Sequence, residues 1–260
     1  MDRSLQPAFS SDPFHKGFDK IALHRALALQ TETPKLANKP LQRWNNGWLQ
    51  PLERAALTRL VAHMPPWATP DLLTVIGGVG TLVMFAGYAL SAWNTGFLWV
   101  ASIGLVINWF GDSLDGNLAR YRKIERPKYG YFLDNSVDVV MQFLLAAGIG
   151  LSGLIRWDLC FLALATYLMI SILTFVRANV SGTFQLAYGG LGPTEMRALF
   201  ILLNATIFFF PPERLDWLGL PMTYPNILSL TWSCLALVTF ALSMIAQIRE
   251  LAVEDPPRTL

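Results

Sequence analysis

The sequence predicts an all-α integral membrane protein, six transmembrane helices preceded by an amphipathic interfacial helix. Three observations predict it. Of 260 residues, 53% are hydrophobic and 15% charged, against about 25% charged in an ordinary soluble domain. Six apolar segments follow residue 70, each near the roughly 20 residues needed to cross the hydrocarbon. Finally, Asp112, Asp115, Asp134 and Asp138 stand in or beside two of these runs. A charged Asp at the bilayer centre costs about 2.5–3.5 kcal/mol, so four unpaired would cost on the order of 10 kcal/mol. Something must neutralise them, and a pair of divalent cations is the foremost agent.

Taken in order, residues 1–50 are mixed in character, with a short helix expected over residues 21–30 and no chemistry assigned. No early apolar run suggests a cleavable signal peptide. In residues 51–64, Leu52, Ala56, Leu60 and Met64 recur at helical spacing, joined by Leu57 and Val61. That pattern suits either a helix in the membrane interface or one packed on the protein's own cytosolic face. Pro65, Pro66 and Trp67 then end the helix at headgroup level. The six spans are expected at about 71–92, 97–119, 130–151, 159–178, 195–210 and 227–248. The first is rich in glycine (Gly77, Gly78, Gly80, Gly87), which lets a neighbouring helix come close. Cys160 and Cys234 lack metal or redox spacing and are expected as core packing.

The organisation expected is therefore an N-terminal cytoplasmic extension (1–64, with the helix at about 51–64), a six-helix catalytic domain (65–250) and a cytoplasmic tail (251–260). Orientation follows the positive-inside bias. Arg120, Arg122, Lys123, Arg126 and Lys128 crowd the connection after the second span, whereas the opposite connections hold only Arg156 and Arg214. Both termini and the acidic end are expected to face the cytoplasm. No basic stripe with interleaved aromatics suggests a nucleic-acid partner.

Asp112, Asp115 and Ala119 share one helical face, and Gly130, Asp134 and Asp138, spaced by four, form a second. A short connection makes the two helices antiparallel neighbours, so both acidic pairs meet at similar depth. Hard oxygen ligands of this kind suit Mg²⁺ or Mn²⁺. Gly116, Ala119 and Gly130 leave room for a ligand or a facing helix. Buried ion pairs with Arg120 or Arg122 would be a purely structural use of the same acids, and a proton relay another.

The string D-x2-D-G-x2-A-R-x9-G-x3-D-x3-D, carried by Asp112, Asp115, Gly116, Ala119, Arg120, Gly130, Asp134 and Asp138, resembles the signature of the CDP-alcohol phosphotransferase family. Residues 70–74, ending in Thr74, resemble the P-N-x-[IL]-T that opens that family's first helix, with Asp71 in place of Asn. The resemblance covers about residues 65–250. It implies transfer of a phospho-alcohol group from a CDP-alcohol donor to a lipid or small-alcohol acceptor, with release of CMP. The four aspartates would hold two metal ions, with Asp138 also the general base. Asp115, Gly116, Ala119, Arg120, Gly130 and Thr74 would contact the CDP moiety.

Arg177, Arg197 and Lys128 either form an anion pocket for a phosphorylated acceptor or simply obey the positive-inside rule. The lead-in to the first span and Gly192-Pro193-Thr194-Glu195 are similar to choline- and ethanolamine-phosphotransferases, whose acceptor is diacylglycerol. An intramembrane prenyltransferase and a cation transporter are the rival classes. Small-residue faces also allow a homodimer among the membrane lipids.

Overall fold

The structure, a computed structural model, describes residues 42–44, 47–181, 183–185, 190–217 and 220–257. The helix expected over 21–30 lies outside the described residues. Seven helices occur among those described: α1 (Gln50–Ala62), α2 (Pro70–Leu90), α3 (Phe97–Arg122), α4 (Pro127–Ser152), α5 (Trp157–Ser181), α6 (Pro193–Phe209) and α7 (Tyr224–Glu254). Short strands punctuate them. β1 (Gln42–Trp44) pairs in parallel with β2 (Thr183–Gln185), and β3 (Leu215–Trp217) pairs antiparallel with β4 (Leu220–Met222).

Five helices, α2, α3, α4, α5 and α7, are long and apolar enough to cross a membrane. At 17 residues, α6 is about 25 Å long, short of the roughly 30 Å hydrocarbon layer. The last helix continues to Glu254, so it takes in residues expected in the tail.

Local chemistry sets the ends. Thr69 caps α2 by accepting from the Leu72 N–H at 3.2 Å, and Pro70 stands at the first helical position, where its missing N–H costs nothing. Lys123 ends α3 in the left-handed region, with φ 57°. That turn closes the connection to α4 within residues 123–126 and makes α3 and α4 antiparallel. Glu195 caps α6 by accepting from the Gly192 N–H at 3.0 Å.

The centre of the bundle is the α2–α3 pair. Gly80 and Gly104 face each other across it, and a Cβ on either would strike backbone of the opposite helix. Gly111 is equally hemmed in by Leu73 and Gly77, whereas Gly78 points into open space. Small residues thus let two backbones touch where lipid gives no hydrophobic incentive to associate. α4 packs on α2, α6 on α3, and α5 on α4 and α7. Met84, Tyr88, Leu98, Leu105, Met141 and Ile207 form the larger core. Cys160 is buried as expected, but Cys234 is exposed. It sits on α7, whose apolar residues Leu235, Leu237, Val238 and Leu242 also point outward, a surface suited to lipid contact.

α1 packs on the protein itself. Leu57 and Val61 join Leu73, Leu114 and Leu118 in a second core, with Leu60 and Met64 at its edge. Leu52, expected on that face, is 71% exposed. Half-buried Glu53 turns inward instead. The face is rotated because polar partners on α3 and α6 await that carboxylate.

Candidate active site

Three of the four acids converge, although α3 and α4 do not themselves pack closely against each other as expected of neighbours. One carboxylate oxygen from each of Asp112, Asp134 and Asp138 lies within 4.8 Å of the others. Asp112 comes from α3, while Asp134 and Asp138 come from successive turns of α4. Three carboxylates this close repel one another, and a hard divalent cation is the natural counter-charge. The donor set, all oxygen and half-buried, fits Mg²⁺ or Mn²⁺.

Asp115 stands apart from this trio. Its Oδ2 accepts a 2.6 Å hydrogen bond from Thr74 Oγ1, and its Oδ1 accepts from the Gly116 N–H. Thr74 reaches it because α2 and α3 lie so close. α2 therefore orients an acid on α3.

Beside the trio lies a cavity of about 160 Å³, lined by Thr74, Asp115, Gly116, Ala119, Arg120, Gly130 and Asp134. The sequence-predicted CDP contacts thus line one space. A Cβ at Gly130 would meet nothing, and one at Gly116 would meet only the Arg120 guanidinium, 3.4 Å away. At neither glycine does a facing helix come close. At the cavity's rim Arg126 pairs with Asp71 and stacks over the Tyr129 ring at 4.0 Å. Its hydrogen bond to Asp71 raises the guanidinium above its ordinary pKa. The pair is half-exposed, so its contribution to stability is small.

A second cavity, about 510 Å³, runs between α4, α5, α6 and α7. Asp138 and Arg197 line it at the acidic end, and Met141, Leu145, Leu164, Phe200 and Trp232 give it an apolar body. Leu199, Leu202 and Leu228 also line it and are exposed to the bundle exterior. The acidic trio therefore separates two cavities of different character: Asp134 borders the first and Asp138 the second.

The two arginines of the structural alternative, Arg120 and Arg122, have other partners. Arg122 turns away, donating to the carbonyls of Met64, Pro65, Pro66 and Ala68. Arg120 donates to Asn117 Oδ1 at 3.1 Å. Arg197 does reach an acid of the trio: its Nη2 donates to Asp112 Oδ2 at 2.6 Å. Its Nε donates to Asn108 Oδ1 at 2.9 Å. Asn108, almost fully buried, in turn donates to the Gly77 carbonyl and Thr81 Oγ1. Of the other residues expected around an acceptor, Arg177 lies 4.0 Å from Glu250, and Lys128 is exposed at the start of α4 and borders neither cavity.

The sequence reading gave Asn108 and Glu53 no part in the site and noted Thr194 only within the Gly192–Glu195 resemblance. A signal existed for Asn108: it interrupts an apolar run four residues before Asp112, on the same helical face.

Comparison with known proteins assigns the chain to a family. Residues 67–224 match the model of the CDP-alcohol phosphatidyltransferase family, and the chain belongs to that family. It is 38% identical over 140 residues to an archaetidylinositol phosphate synthase of Pyrococcus horikoshii, spanning 54% of this chain and 69% of that protein. It is 36% identical over 99 residues to a phosphatidylinositol phosphate synthase of Cutibacterium acnes, covering 38% of this chain and 43% of that protein. A solved Mycobacterium tuberculosis phosphatidylinositol phosphate synthase with CDP-DAG bound aligns over 82% of this chain and 98% of its own, at 22% identity and a TM-score of 0.47.

Proposed function

We propose that this member of the CDP-alcohol phosphatidyltransferase family transfers a phospho-alcohol group from a CDP-alcohol to an acceptor hydroxyl, releasing CMP, in phospholipid synthesis. One observation carries the reading: the acidic trio lies between a small cavity bordered by the signature residues and a larger apolar cavity that begins at Asp138.

In this reading the nucleotide end of the donor occupies the smaller cavity. Gly116, Ala119 and Gly130 admit it, Thr74 keeps Asp115 oriented, and Arg120 pairs with phosphate oxygens. Asp112, Asp115, Asp134 and Asp138 would hold two Mg²⁺ or Mn²⁺ ions. When bound, such ions offset charge on the transferring phosphoryl group and orient attacking and leaving oxygens. Asp138 accepts the proton of the acceptor hydroxyl, which comes within hydrogen-bond reach from the larger cavity. Attack from that side, opposite the departing CMP, suits the in-line geometry of phosphoryl transfer.

The larger cavity's apolar walls suit the hydrocarbon part of a lipid substrate. The two relatives are named as synthases of inositol-phosphate lipids, which favours a small polar alcohol as acceptor. The resemblance around residues 192–195 points to diacylglycerol as acceptor. The donor class is therefore a CDP-alcohol, and the acceptor class a lipid or a small alcohol. In the proposed topology α6 completes six spans, with both termini and the acidic end on the cytoplasmic side.

The test is purified protein in lipid nanodiscs, supplied with CDP-diacylglycerol or CDP-choline and a panel of acceptor alcohols. Metal-dependent CMP release with one donor–acceptor pair is the expected result. No CMP from any pair would reject the reading.

A further inference from the structure

Glu53 lies on α1, ahead of the region that matches the family. Its Oε1 accepts from three side chains on two other helices: Thr194 Oγ1 at 2.6 Å, Trp109 Nε1 at 3.1 Å and Ser113 Oγ at 3.2 Å. Each donor is a near neighbour of the Arg197 network. Trp109 and Ser113 follow Asn108 and Asp112 by one residue each, on the same two turns of α3. Thr194 precedes Arg197 by three residues, on the same face of α6. One stripe of α3 thus meets Arg197, and the adjoining stripe meets Glu53, which also holds the start of α6.

Two features separate this clamp from ordinary packing. Leu57 and Val61 already seat α1 against Leu114 and Leu118, so attachment of the helix does not need the carboxylate. Moreover, Glu53 has no Lys, Arg or His within ion-pair distance among the described residues, only neutral donors. Side-chain hydrogen bonds to three separate groups fix direction as well as distance. They tie the start of α6 to α3, and Arg197 meets Asp112 one turn further along the same pair of helices.

We propose that Glu53 is a positioning residue for the acidic trio, acting through Thr194, Ser113 and Trp109 to hold Arg197 on Asp112. The assignment rests on the functional reading above for its effect on turnover, but not for its effect on cation binding. Supporting groups of this kind typically change metal affinity or activity by about 10–100-fold when removed.

The experiment compares Glu53→Leu, Glu53→Gln and Leu57→Ala in the purified full chain, with Mn²⁺ affinity measured by calorimetry without substrate. Thermal stability and CMP-release kinetics are measured alongside. Glu53→Leu should weaken Mn²⁺ binding about tenfold and lower kcat more than it raises the donor KM. Glu53→Gln keeps an acceptor oxygen and should recover most of both. Leu57→Ala should lower thermal stability yet leave Mn²⁺ affinity within about twofold, because it removes packing and not the clamp. Unchanged Mn²⁺ affinity in Glu53→Leu would overturn the proposal. So would equal losses in Glu53→Leu and Leu57→Ala, or no recovery in Glu53→Gln. A protein that binds Mn²⁺ in this pattern but releases no CMP would instead reject the functional reading while leaving the positioning role in place.

Discussion

Arg197 on α6 donates to Asp112 on α3 at 2.6 Å, across 85 residues of sequence. One member of the acidic trio is thereby held from outside the two helices that carry the signature. The guanidinium fork reaches Asn108 and Asp112 together, a two-point grip that an ammonium group cannot reproduce. Replacing Arg197 with Lys should therefore lower kcat by about 10–100-fold. Arg197→Ala should also lower thermal stability, since it leaves Asn108 and Asp112 without their donor. CMP-release kinetics with parallel melting curves check both outcomes.

Asp138→Asn should abolish turnover while largely sparing cation binding. A carboxamide keeps an oxygen for coordination but cannot take the acceptor's proton. Near-normal turnover in this variant would reject Asp138 as base, and Mn²⁺ titration of the same sample controls for loss of the site.

Chelation offers a separate check on the acidic trio. Treatment with EDTA should remove CMP release, and Mg²⁺ or Mn²⁺ should restore it, because carboxylate oxygens suit both ions. Activity that persists through exhaustive chelation would contradict a metal role for these aspartates.

The glycines give a prediction about stability alone. Gly111→Leu should destabilise the fold by about 3 kcal/mol or more, since the added side chain meets the backbone of α2 and overpacking of even modest size is costly. Gly78→Leu, one position from Gly77 but facing open space, should be tolerated. Melting temperatures of the two variants in the same detergent decide it.

Arg122 should matter to stability and not to chemistry. It gathers four carbonyl groups of residues 64–68, and hydrogen bonds from a charged donor are worth about 1.5–3 kcal/mol. Arg122→Ala should lower the melting temperature and leave the KM for donor unchanged, as measured on the folded fraction.

Much of this was legible in the sequence because it is local. The apolar runs mark the spanning helices, and the i, i+3 and i, i+4 spacings of Asp112, Asp115, Asp134 and Asp138 put each pair on one face. The short connection at residues 123–126 does the rest. What escaped was register between helices distant in sequence. Nothing in the pattern around Arg197 says that it meets Asp112 rather than the aqueous surface. Likewise, the apolar period of residues 51–64 favours Leu52 over Glu53 for the inward face, and only the donors on α3 and α6 reverse that choice. Cys234 misled for a related reason: in a membrane helix an apolar neighbourhood does not distinguish the protein interior from lipid.

The larger cavity has a kinetic consequence. With Leu199, Leu202 and Leu228 on its exposed rim, the hydrocarbon chain of the proposed lipid substrate would enter it sideways from the bilayer, a solvent confined to a sheet. For that reactant the effective quantity is its mole fraction in the leaflet. Diluting proteoliposomes at fixed lipid composition should leave turnover per molecule constant, whereas diluting the same lipid with inert phospholipid should slow it.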